Sequence, residues 1–295
     1  MTGATGFVGA ATLEQLLAAG LAVRALTRRP QAARKGVTWV PGALDDPGSL
    51  DALMEGADLV LHIAGVVNAP DRDGFDAGNV TGTENVISAM ERTGLRRLVH
   101  VSSFAARQPQ LSDYCWSKHA AEERVRASGF DWAMIRPPAV YGPRDTEFVE
   151  VLRAARFGIL PVPPSGSASM IHVRDLASVL TALCQPGGDT YKGVTWEVDD
   201  GTPGGLSHRE LAGAVGRALG RRVIAVPLPQ AVLMGIARID RMLRGPQAKL
   251  TPDRVRYMCH PDWVIDPEKR PPADLWTPII PTDIGLAEVA AALHD

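Results

Sequence analysis

The chain has 295 residues, of which 45% are hydrophobic and 22% charged, and this ordinary balance excludes a disordered or fibrous protein. Lysine and arginine number 31 against 33 aspartates and glutamates, so the chain lacks the overall positive charge with which a protein binds nucleic acid. The cysteines, Cys115, Cys184 and Cys259, are too far apart to bind a metal, which favours a reducing, cytoplasmic setting. No apolar stretch approaches the roughly 18 residues of a membrane-spanning helix.

The first half of the chain alternates strand and helix patterns after a glycine-rich start. These patterns predict, in chain order, a helix over residues 10–19, strands over 21–27 and 37–40, a helix over 49–55, a strand over 57–64, a helix over 75–92, a strand over 95–102, a helix over 112–127 and a strand over 131–136. Such alternation predicts an α/β fold with a doubly wound parallel sheet. Ligands of such sheets bind at the carboxyl ends of the strands.

The second half of the chain is interrupted by prolines, and its predicted elements are shorter. Helices are predicted over residues 175–183 and 286–293. We expect one domain, built on this parallel sheet, to be formed by residues 1–140 together with 170–200. Residues 141–169 and 201–295 are then expected to form a smaller substrate-binding region.

Glycines recur at positions 3, 6 and 9, immediately before the first predicted helix. This spacing lets the backbone turn tightly and approach a pyrophosphate, to which the helix N-terminus presents free N–H groups. Taken alone, this spacing is weak evidence for a cofactor site, because three glycines within nine residues are also compatible with a simple turn.

Tyr114 and Lys118 lie four residues apart, on one face of the helix predicted over 112–127. An ammonium beside a phenol favours the phenolate and lowers the pKa of the phenol towards neutral pH. Ser102 and Ser103 end a predicted strand and place hydroxyls at the carboxyl edge of the sheet. A phenol, an ammonium and hydroxyls placed together suit proton transfer to a carbonyl oxygen. The alternative interpretation is that Tyr114 and Lys118 simply lie on a solvated helix face.

The sequence resembles the extended short-chain dehydrogenase/reductase family. The resemblance is carried by the motifs TGATGFVG and YCWSK and by the segments Asn79-Val80-Thr81-Gly82-Thr83 and Arg136-Pro137-Pro138-Ala139-Val140-Tyr141-Gly142-Pro143. The match runs in order across almost the whole chain. The resemblance implies a Rossmann fold and a nicotinamide cofactor, and the cysteine spacing described above leads us to expect no metal.

The resemblance also implies roles for individual residues. Tyr114 would be the general acid/base and Lys118 would bind the nicotinamide ribose. Ser103, in preference to Ser102, would hydrogen-bond the substrate oxygen, and Asn79 would support a proton path through Lys118. The implied cofactor contacts are Gly3, Thr5, Gly6, Phe7, Val8, Arg28, Leu44, Ala64, Gly65, Tyr114, Lys118, Pro137, Ala139 and Val140.

Arg28 and Arg29 follow the strand at which NAD-binding members carry an acidic residue. Two guanidiniums there favour the 2′-phosphate of NADP, with Arg34 and Lys35 nearby, although NAD remains an alternative. A solvated loop end would also explain the two arginines. On the adenine side the family's usual Asp is replaced in Gly42-Ala43-Leu44, so only Leu44 is carried over as a contact.

Nucleotide-sugar enzymes of the family carry an Asn and an Arg where this chain has Ala139 and Ala168. Their absence favours the branch similar to dihydroflavonol reductases and 3β-hydroxysteroid dehydrogenases. The expected activity is hydride transfer between NADP and a small hydrophobic ketone or alcohol. The alternatives are a nucleotide-sugar epimerase or dehydratase, and an NADPH-binding sensor or scaffold without turnover.

Other charged or polar residues receive structural interpretations. His62 and His100 are expected to be hydrogen-bonded core residues, and His172 and Asp175 to support the fold. Arg144 is a polar anchor or part of a surface ion pair.

Two surfaces of the molecule are also predicted. The segment 233–243 carries arginines among apolar residues, which favours a substrate-pocket helix over one lying on a membrane surface. By analogy with the family, a homodimer would form through the helices over 75–92 and 112–127.

In the family a short apolar strand precedes the glycine motif, and here that central strand is almost absent. We therefore expect a truncated first strand. Either about five to eight further residues belong before Met1, or the fold tolerates the short strand.

Overall fold

A computed structural model describes residues 1–292, apart from the side chain of Pro246. The helices are α1 (Phe7–Ala18), α2 (Pro47–Met54), α3 (Arg72–Phe75), α4 (Gly82–Thr93), α5 (Asp113–Ala127), α6 (Thr146–Ala155), α7 (Val173–Cys184), α8 (His208–Ala218), α9 (Gln230–Arg244), α10 (Pro252–Met258) and α11 (Thr282–Ala291). The strands are β1 (Val23–Thr27), β2 (Val37–Pro41), β3 (Val60–His62), β4 (Arg97–Val101), β5 (Asp131–Arg136), β6 (Ala139–Tyr141), β7 (Ile159–Val162), β8 (Ser167–Ala168), β9 (Met170–His172), β10 (Val194–Glu197), β11 (Leu206–Ser207), β12 (Ile224–Pro227) and β13 (Asp262–Trp263).

The chain divides into two compact units. The first comprises Met1–Pro137, Leu176–Glu197 and Pro271–Thr277. The second comprises Pro138–Asp175, Val198–Arg270 and the described residues from Pro278 onwards. Which unit holds cofactor and which holds substrate stays a prediction.

The first unit is built on parallel strands. Strands β10, β5, β4 and β3 hydrogen-bond in that order, and β1 pairs with β2, all in parallel. Met1 and Thr2 lie between β1 and β3, where Thr2 N donates to Leu61 O at 3.0 Å and Leu26 N donates to Met1 O at 3.1 Å. Thr2 forms a single parallel bridge with His62. The predicted doubly wound parallel sheet is confirmed.

The core of the first unit forms where helices cover the sheet. Its strands are apolar without strict alternation, as expected of parallel strands buried on both faces. The largest fully buried side chains there include Leu50, Leu53, Met90, Leu98 and Met134.

The second unit contains shorter strands. Strand β6 pairs with β9 and β7 with β12 in parallel, whereas β8 lies between β11 and β13. A separate core forms under α8 and α11, and it includes Leu152, Leu160, Val215, Leu286 and Val289.

The predicted elements differ from the observed ones mainly at their ends. The strand over 131–136 has the predicted bounds. Helix α5 begins one residue later than predicted, because Ser112 is its N-cap and accepts a hydrogen bond from Cys115 N at 3.1 Å. Helix α1 begins at Phe7, three residues earlier than predicted, directly after the glycine turn.

Larger differences occur in three helices. The helix predicted over 75–92 runs from Arg72 to Thr93 and contains a π-helical segment, Asp76–Thr81. The helix predicted over 286–293 begins at Thr282, and its last predicted residue, Leu293, lies outside the described residues. The helix predicted over 175–183 extends by two residues at its start and one at its end.

Candidate active site

The glycine turn is set by close backbone contacts. Gly3 has a φ of +73°, and a Cβ at this position would lie 2.7 Å from Ala64 N. A Cβ on Gly9 would lie 1.9 Å from the carbonyl oxygen of Gly3, so neither position accepts a side chain. Gly6 is the N-cap of α1, and no side chain of the described residues caps this helix. The first-turn amides of α1, which include those of Phe7 and Val8, therefore remain available for an anion.

Lys118 is buried beneath the carboxyl end of β4. Its Nζ donates a hydrogen bond to Val101 O at 3.0 Å. A Cβ built on Gly65 would lie 3.9 Å from this Nζ and 2.9 Å from Oδ1 of Asn79. Burial lowers the pKa of Lys118 to about 8, and the carboxylate of Glu122 offsets part of that shift.

Asn79 lies in the π-helical segment, a feature frequently found at functional sites. Its Oδ1 accepts from Val66 N at 2.7 Å, and its Nδ2 donates to Val66 O and to Ser117 Oγ, both at 2.9 Å. Asn79 thereby connects the loop after β3 to helix α5. These bonds fix its side chain on the Gly65 side of Lys118.

Tyr114 is half-buried in the first turn of α5, one turn before Lys118. Its ring centroid lies 5.9 Å from that of Phe75, with the two rings tilted by 51°. The carbonyl oxygen of Tyr114 accepts from Ser117 Oγ at 2.8 Å, and this hydroxyl also accepts from Asn79. Ser117 thus links the backbone of Tyr114 to the side chain of Asn79, while Lys118 Nζ and Asn79 Oδ1 both lie close to Gly65.

The two serines after β4 have different surroundings. Ser102 is buried, and its Oγ donates to Oε1 of Glu122 at 2.5 Å. Ser103 is half-buried, and its Oγ accepts from Ala105 N at 3.2 Å at the start of a short 3₁₀ turn. An accepting hydroxyl retains its proton for donation elsewhere. The hydroxyl of Ser102 instead has its donor occupied.

Glu122 is a buried carboxylate that sequence reasoning did not single out. Arg136 donates to both of its oxygens, at 2.7 and 2.6 Å, and Arg126 donates to one at 2.7 Å. Burial raises the pKa of Glu122, but the bonds from Arg136 and Ser102 outweigh it and hold the pKa below its usual value. Its position four residues after Lys118 was the available sequence signal.

The edge after β1 carries the arginines expected to select the cofactor. Arg28 and Arg29 are exposed, and neither guanidinium forms an ion pair within residues 1–292. Arg34 instead binds Glu14 through two hydrogen bonds of 2.7 and 2.5 Å. Thr27 Oγ1 donates to Arg29 O at 2.6 Å and shapes the turn.

Four other residues that the sequence predicts as cofactor contacts also lie in the first unit, and they are Leu44, Thr5, Ala64 and Pro137. The carbonyl oxygen of Leu44 accepts from Asn85 Nδ2 at 2.9 Å. Thr5 is exposed in the glycine turn, and Ala64 N donates to Thr2 Oγ1 at 3.2 Å. The carbonyl oxygen of Pro137 accepts from Phe104 N at 3.0 Å.

Other singled-out residues belong to the second unit. Ala139 and Val140 are in β6, and Arg144 has a φ of +74° without an ion pair in the described part of the chain. Asp175 accepts from the backbone N–H groups of residues 279 and 280, at 3.1 and 2.9 Å, and so supports the fold. His172 packs edge-on against the Tyr141 ring, with centroids 5.5 Å apart.

The two core histidines do not behave alike. His62 is hydrogen-bonded to Thr2 and Thr83, at 2.7 and 3.1 Å. Neither ring nitrogen of His100 has a hydrogen-bond partner among the described residues, so the prediction that both are satisfied is wrong for His100. Its ring instead packs against His62 at 5.3 Å. Burial lowers the pKa of His62 to about 3 and that of His100 well below the usual value, so both rings are neutral.

Within residues 1–292, no helix combines the length and apolar character needed to cross a bilayer. The same residues contain no cluster of three or more histidine, cysteine, aspartate or glutamate side chains able to hold a metal ion.

A parallel doubly wound sheet with a glycine turn before its first helix is the architecture of dinucleotide-binding domains. A family model described as NAD(P)H-binding matches residues 3–185. The ceramide reductase of Caulobacter vibrioides (strain NA1000 / CB15N) is 34% identical over 297 residues, covering 98% of this chain and 90% of that protein.

A second relative is the 4-hydroxy-2-methyl-3-oxo-4-farnesyl-3,4-dihydroquinoline-1-oxide ketoreductase of Stigmatella aurantiaca. It is 31% identical over 223 residues, covering 65% of this chain and 66% of its own. Among solved structures, the human epimerase family protein SDR39U1 with NADPH superposes with a TM-score of 0.73 at 20% identity, covering 98% of each chain. The chain belongs to the NAD(P)H-binding family within the extended short-chain dehydrogenase/reductases, and it is an NAD(P)-dependent oxidoreductase.

Proposed function

We propose that this protein is an NADPH-dependent reductase of ketones that carry a long apolar group, and that it also oxidises the corresponding alcohols. The observation that carries the proposal is the position of Lys118. This buried ammonium lies between the end of β4, which leads to Ser103, and the helix turn that bears Tyr114.

The chain offers a donor set that suits a nicotinamide dinucleotide. The uncapped amides at the start of α1 suit a pyrophosphate, and Arg28 suits a 2′-phosphate. Lys118 and Tyr114 would hold the ribose and the nicotinamide end. When bound, the cofactor supplies the hydride that reduces the carbonyl carbon.

Proton transfer is assigned to Tyr114. As the carbonyl carbon is reduced, its oxygen gains negative charge, and the phenol O–H of Tyr114 gives its proton to that oxygen. Ser103 donates a second hydrogen bond, which stabilises the charge as it forms. The ammonium of Lys118 favours the resulting phenolate, and Asn79 keeps this region of α5 fixed.

Preference for NADPH is supported by Arg28, whose exposed guanidinium forms no ion pair within residues 1–292. A 2′-phosphate accepts two hydrogen bonds from a guanidinium, whereas the 2′-hydroxyl of NADH gains little from it. The SDR39U1 structure, a relative in fold, contains NADPH. We expect Arg28→Ser to weaken NADPH binding by about tenfold and to leave NADH binding nearly unchanged.

The substrate class is supported by the names of the two relatives, which denote a ceramide reductase and a reductase of a farnesylated ring. Ala139 also stands where nucleotide-sugar enzymes carry a polar residue. We therefore infer that the reacting ketone is attached to a long hydrocarbon chain and carries no diphosphate.

The test is oxidation of NADPH by the purified protein with ketones of increasing alkyl chain length. Tyr114→Phe should lower kcat by about 10² to 10⁴, because it removes the proton donor, while NADPH affinity stays within about threefold. Tyr191→Phe is the matched control, since its hydroxyl contacts Asp274 and it has no assigned part in the reaction.

Near-normal turnover by Tyr114→Phe would show that the proton comes from another group. Purification with tightly held NAD and turnover of a nucleotide sugar would instead establish an epimerase or dehydratase. Binding of NADPH without turnover of any ketone or alcohol in the panel would favour a sensor or scaffold.

A further inference from the structure

His62 ends strand β3 and joins two threonines that come from other elements of the first unit. Its Nδ1 lies 2.7 Å from Thr2 Oγ1, and its Nε2 lies 3.1 Å from Thr83 Oγ1. All three residues are at most 1% exposed. The register partner of His62 on β4 is His100, which is equally buried and has no hydrogen-bond partner among the described residues. Bonds like those of His62 are therefore not a general requirement of a buried ring in this sheet.

The bonds around His62 have a single direction. Thr83 Oγ1 lies 2.7 Å from the carbonyl oxygen of Asn79, which can only accept, so the hydroxyl of Thr83 donates there. Towards His62 the same hydroxyl then accepts, and Nε2 must carry the ring proton. Burial, and then the charges of Lys118 and the N-terminus, lower the pKa of His62 to about 3. The ring is therefore neutral, and its Nδ1 is an acceptor.

The other end of this series of bonds reaches the glycine turn. Nδ1 of His62 accepts from the hydroxyl of Thr2, and Thr2 Oγ1 accepts from Ala64 N at 3.2 Å. Thr2 directly precedes Gly3, the residue that allows the backbone to approach Ala64. We call the series the His62 chain, and its members in order are Ala64, Thr2, His62, Thr83 and Asn79. Each bond in it is satisfied in one direction, which is the condition under which a buried polar network rigidifies its surroundings.

The His62 chain ends on the backbone of Asn79, a residue expected to support proton transfer. Thr83 donates to the carbonyl oxygen of Asn79. The side chain of Asn79 is held separately, by Val66 and by Ser117 Oγ. Asn79 is thus fixed at two points, and only the side-chain bonds belong to the site already described. The bond at its carbonyl oxygen sets where the π-helical segment lies.

We propose that His62 is a positioning residue, which in its Nε2-protonated form joins the glycine turn to Asn79 and so places Asn79 beside Lys118 for proton transfer. His62 acts through Thr83, not on the reacting atoms, and it does not itself transfer a proton. Its effect on turnover rests on the proposed function. The hydrogen bonds of the His62 chain do not depend on that function.

The first test is the ring ¹⁵N NMR spectrum of the full chain labelled at histidine, in which protonated and bare ring nitrogens have distinct chemical shifts. The signals of His62 are assigned by their loss in His62→Gln, whose side-chain amide can keep a bond to Thr83. We expect a proton on Nε2 of His62 and none on Nδ1. A proton on Nδ1 at neutral pH would overturn the proposal.

The second test removes the bond that Thr83 donates. Thr83→Val keeps the branched shape of the side chain and removes the hydroxyl, so Asn79 shifts while the substrate-binding residues stay in place. We expect kcat for ketone reduction to fall about tenfold, with KM for the ketone within about twofold. The side-chain amide signals of Asn79 should move in the same variant. Thr83→Ser restores the hydroxyl and should recover both kcat and these signals.

His100→Phe is the matched control, because it replaces a buried ring that has no hydrogen bond within the described residues. Its kcat and its Asn79 signals should equal those of the unmodified chain. A merely structural role of the His62 chain would lower the thermal unfolding temperature of Thr83→Val but leave its kcat and its Asn79 signals unchanged. That result would overturn the proposal.

The two proposals fail in different ways. If the unmodified chain reduced no ketone, the proposed function would be wrong. The ring protonation of His62 and the Asn79 signals of Thr83→Val would still be measurable, and they would decide whether His62 places Asn79.

Discussion

Helices α5 and α9 have the same length of 15 residues and opposite distributions of polarity. On α5, Ser117, Lys118 and Glu122 are buried. On α9, Ile239 and Leu243 are exposed. Each helix therefore places part of its sequence in the environment that its side chains disfavour.

The buried polar residues of α5 and the exposed apolar residues of α9 differ in whether contacts within the chain offset their unfavourable environment. Every charged group buried on α5 has a hydrogen-bond partner, so its unfavourable desolvation is offset inside the chain. The exposed apolar face of α9 receives no such compensation from the described residues. Hydrogen bonds within the chain thus satisfy the buried charges of α5, whereas an exposed apolar surface such as that of α9 is typical of a surface that binds a partner.

The largest effect on stability is expected from Glu122→Ala. This change leaves Ser102, Arg126 and Arg136 without their shared acceptor, and Arg136 remains largely buried. Removing one member of a buried ion pair destabilises a protein by about 3 to 5 kcal/mol. Urea unfolding of the variant measures the loss directly.

The control for that prediction is Glu123→Ala, at the next residue of the same helix. Glu123 pairs with Arg126 at 2.5 Å, but its side chain is exposed, and such pairs contribute about 0 to 1 kcal/mol. Equal losses for the two variants would mean that burial of the Glu122 carboxylate has no special weight.

On α9, a Leu→Ala substitution on the buried face should destabilise the protein more than the same substitution on the exposed face. Leu233 is 6% exposed and Leu243 is 74% exposed. Leu233→Ala should lower the free energy of unfolding by about 2 to 3 kcal/mol, because it opens a cavity against α10. Leu243→Ala should change it by less than about 0.5 kcal/mol. A comparable loss from Leu243→Ala would show that its face is packed.

Much of the first unit follows from its sequence. Apolar strands that alternate with helices permit few arrangements other than a parallel sheet, and the strand over 131–136 was predicted to the residue. The π-helical segment around Asn79 was not predicted, because one additional residue in a helical turn leaves no clear mark on apolar periodicity. The short strands of the second unit lacked a pattern long enough to detect.

For the candidate site, sequence spacing indicated Tyr114 and Lys118, since residues four apart share a helix face. Spacing did not indicate how Ser102 and Ser103 differ, because that difference depends on Glu122 reaching the end of β4 from another element. The role of Arg136 depends likewise on contacts between distant parts of the chain. So does the ring of His100, which has no hydrogen-bond partner among the described residues.

The smallest expected effect is a pH dependence that arises from Lys118. Burial lowers its pKa in the folded protein from 10.5 to about 8, so above pH 8 the unfolded chain binds more protons than the folded one. Stability from this group must therefore rise with pH between these two values and stay flat below about pH 7. Relative to Lys118→Met, the unmodified protein should gain about 2 kcal/mol between pH 8 and 10. Lys192→Met, at an exposed lysine, should show no such change. If the difference in free energy of unfolding between the unmodified protein and Lys118→Met did not change over that pH range, the ammonium of Lys118 would be solvated. Helix α5 would then not bury a charged lysine, and its contrast with α9 would be weakened.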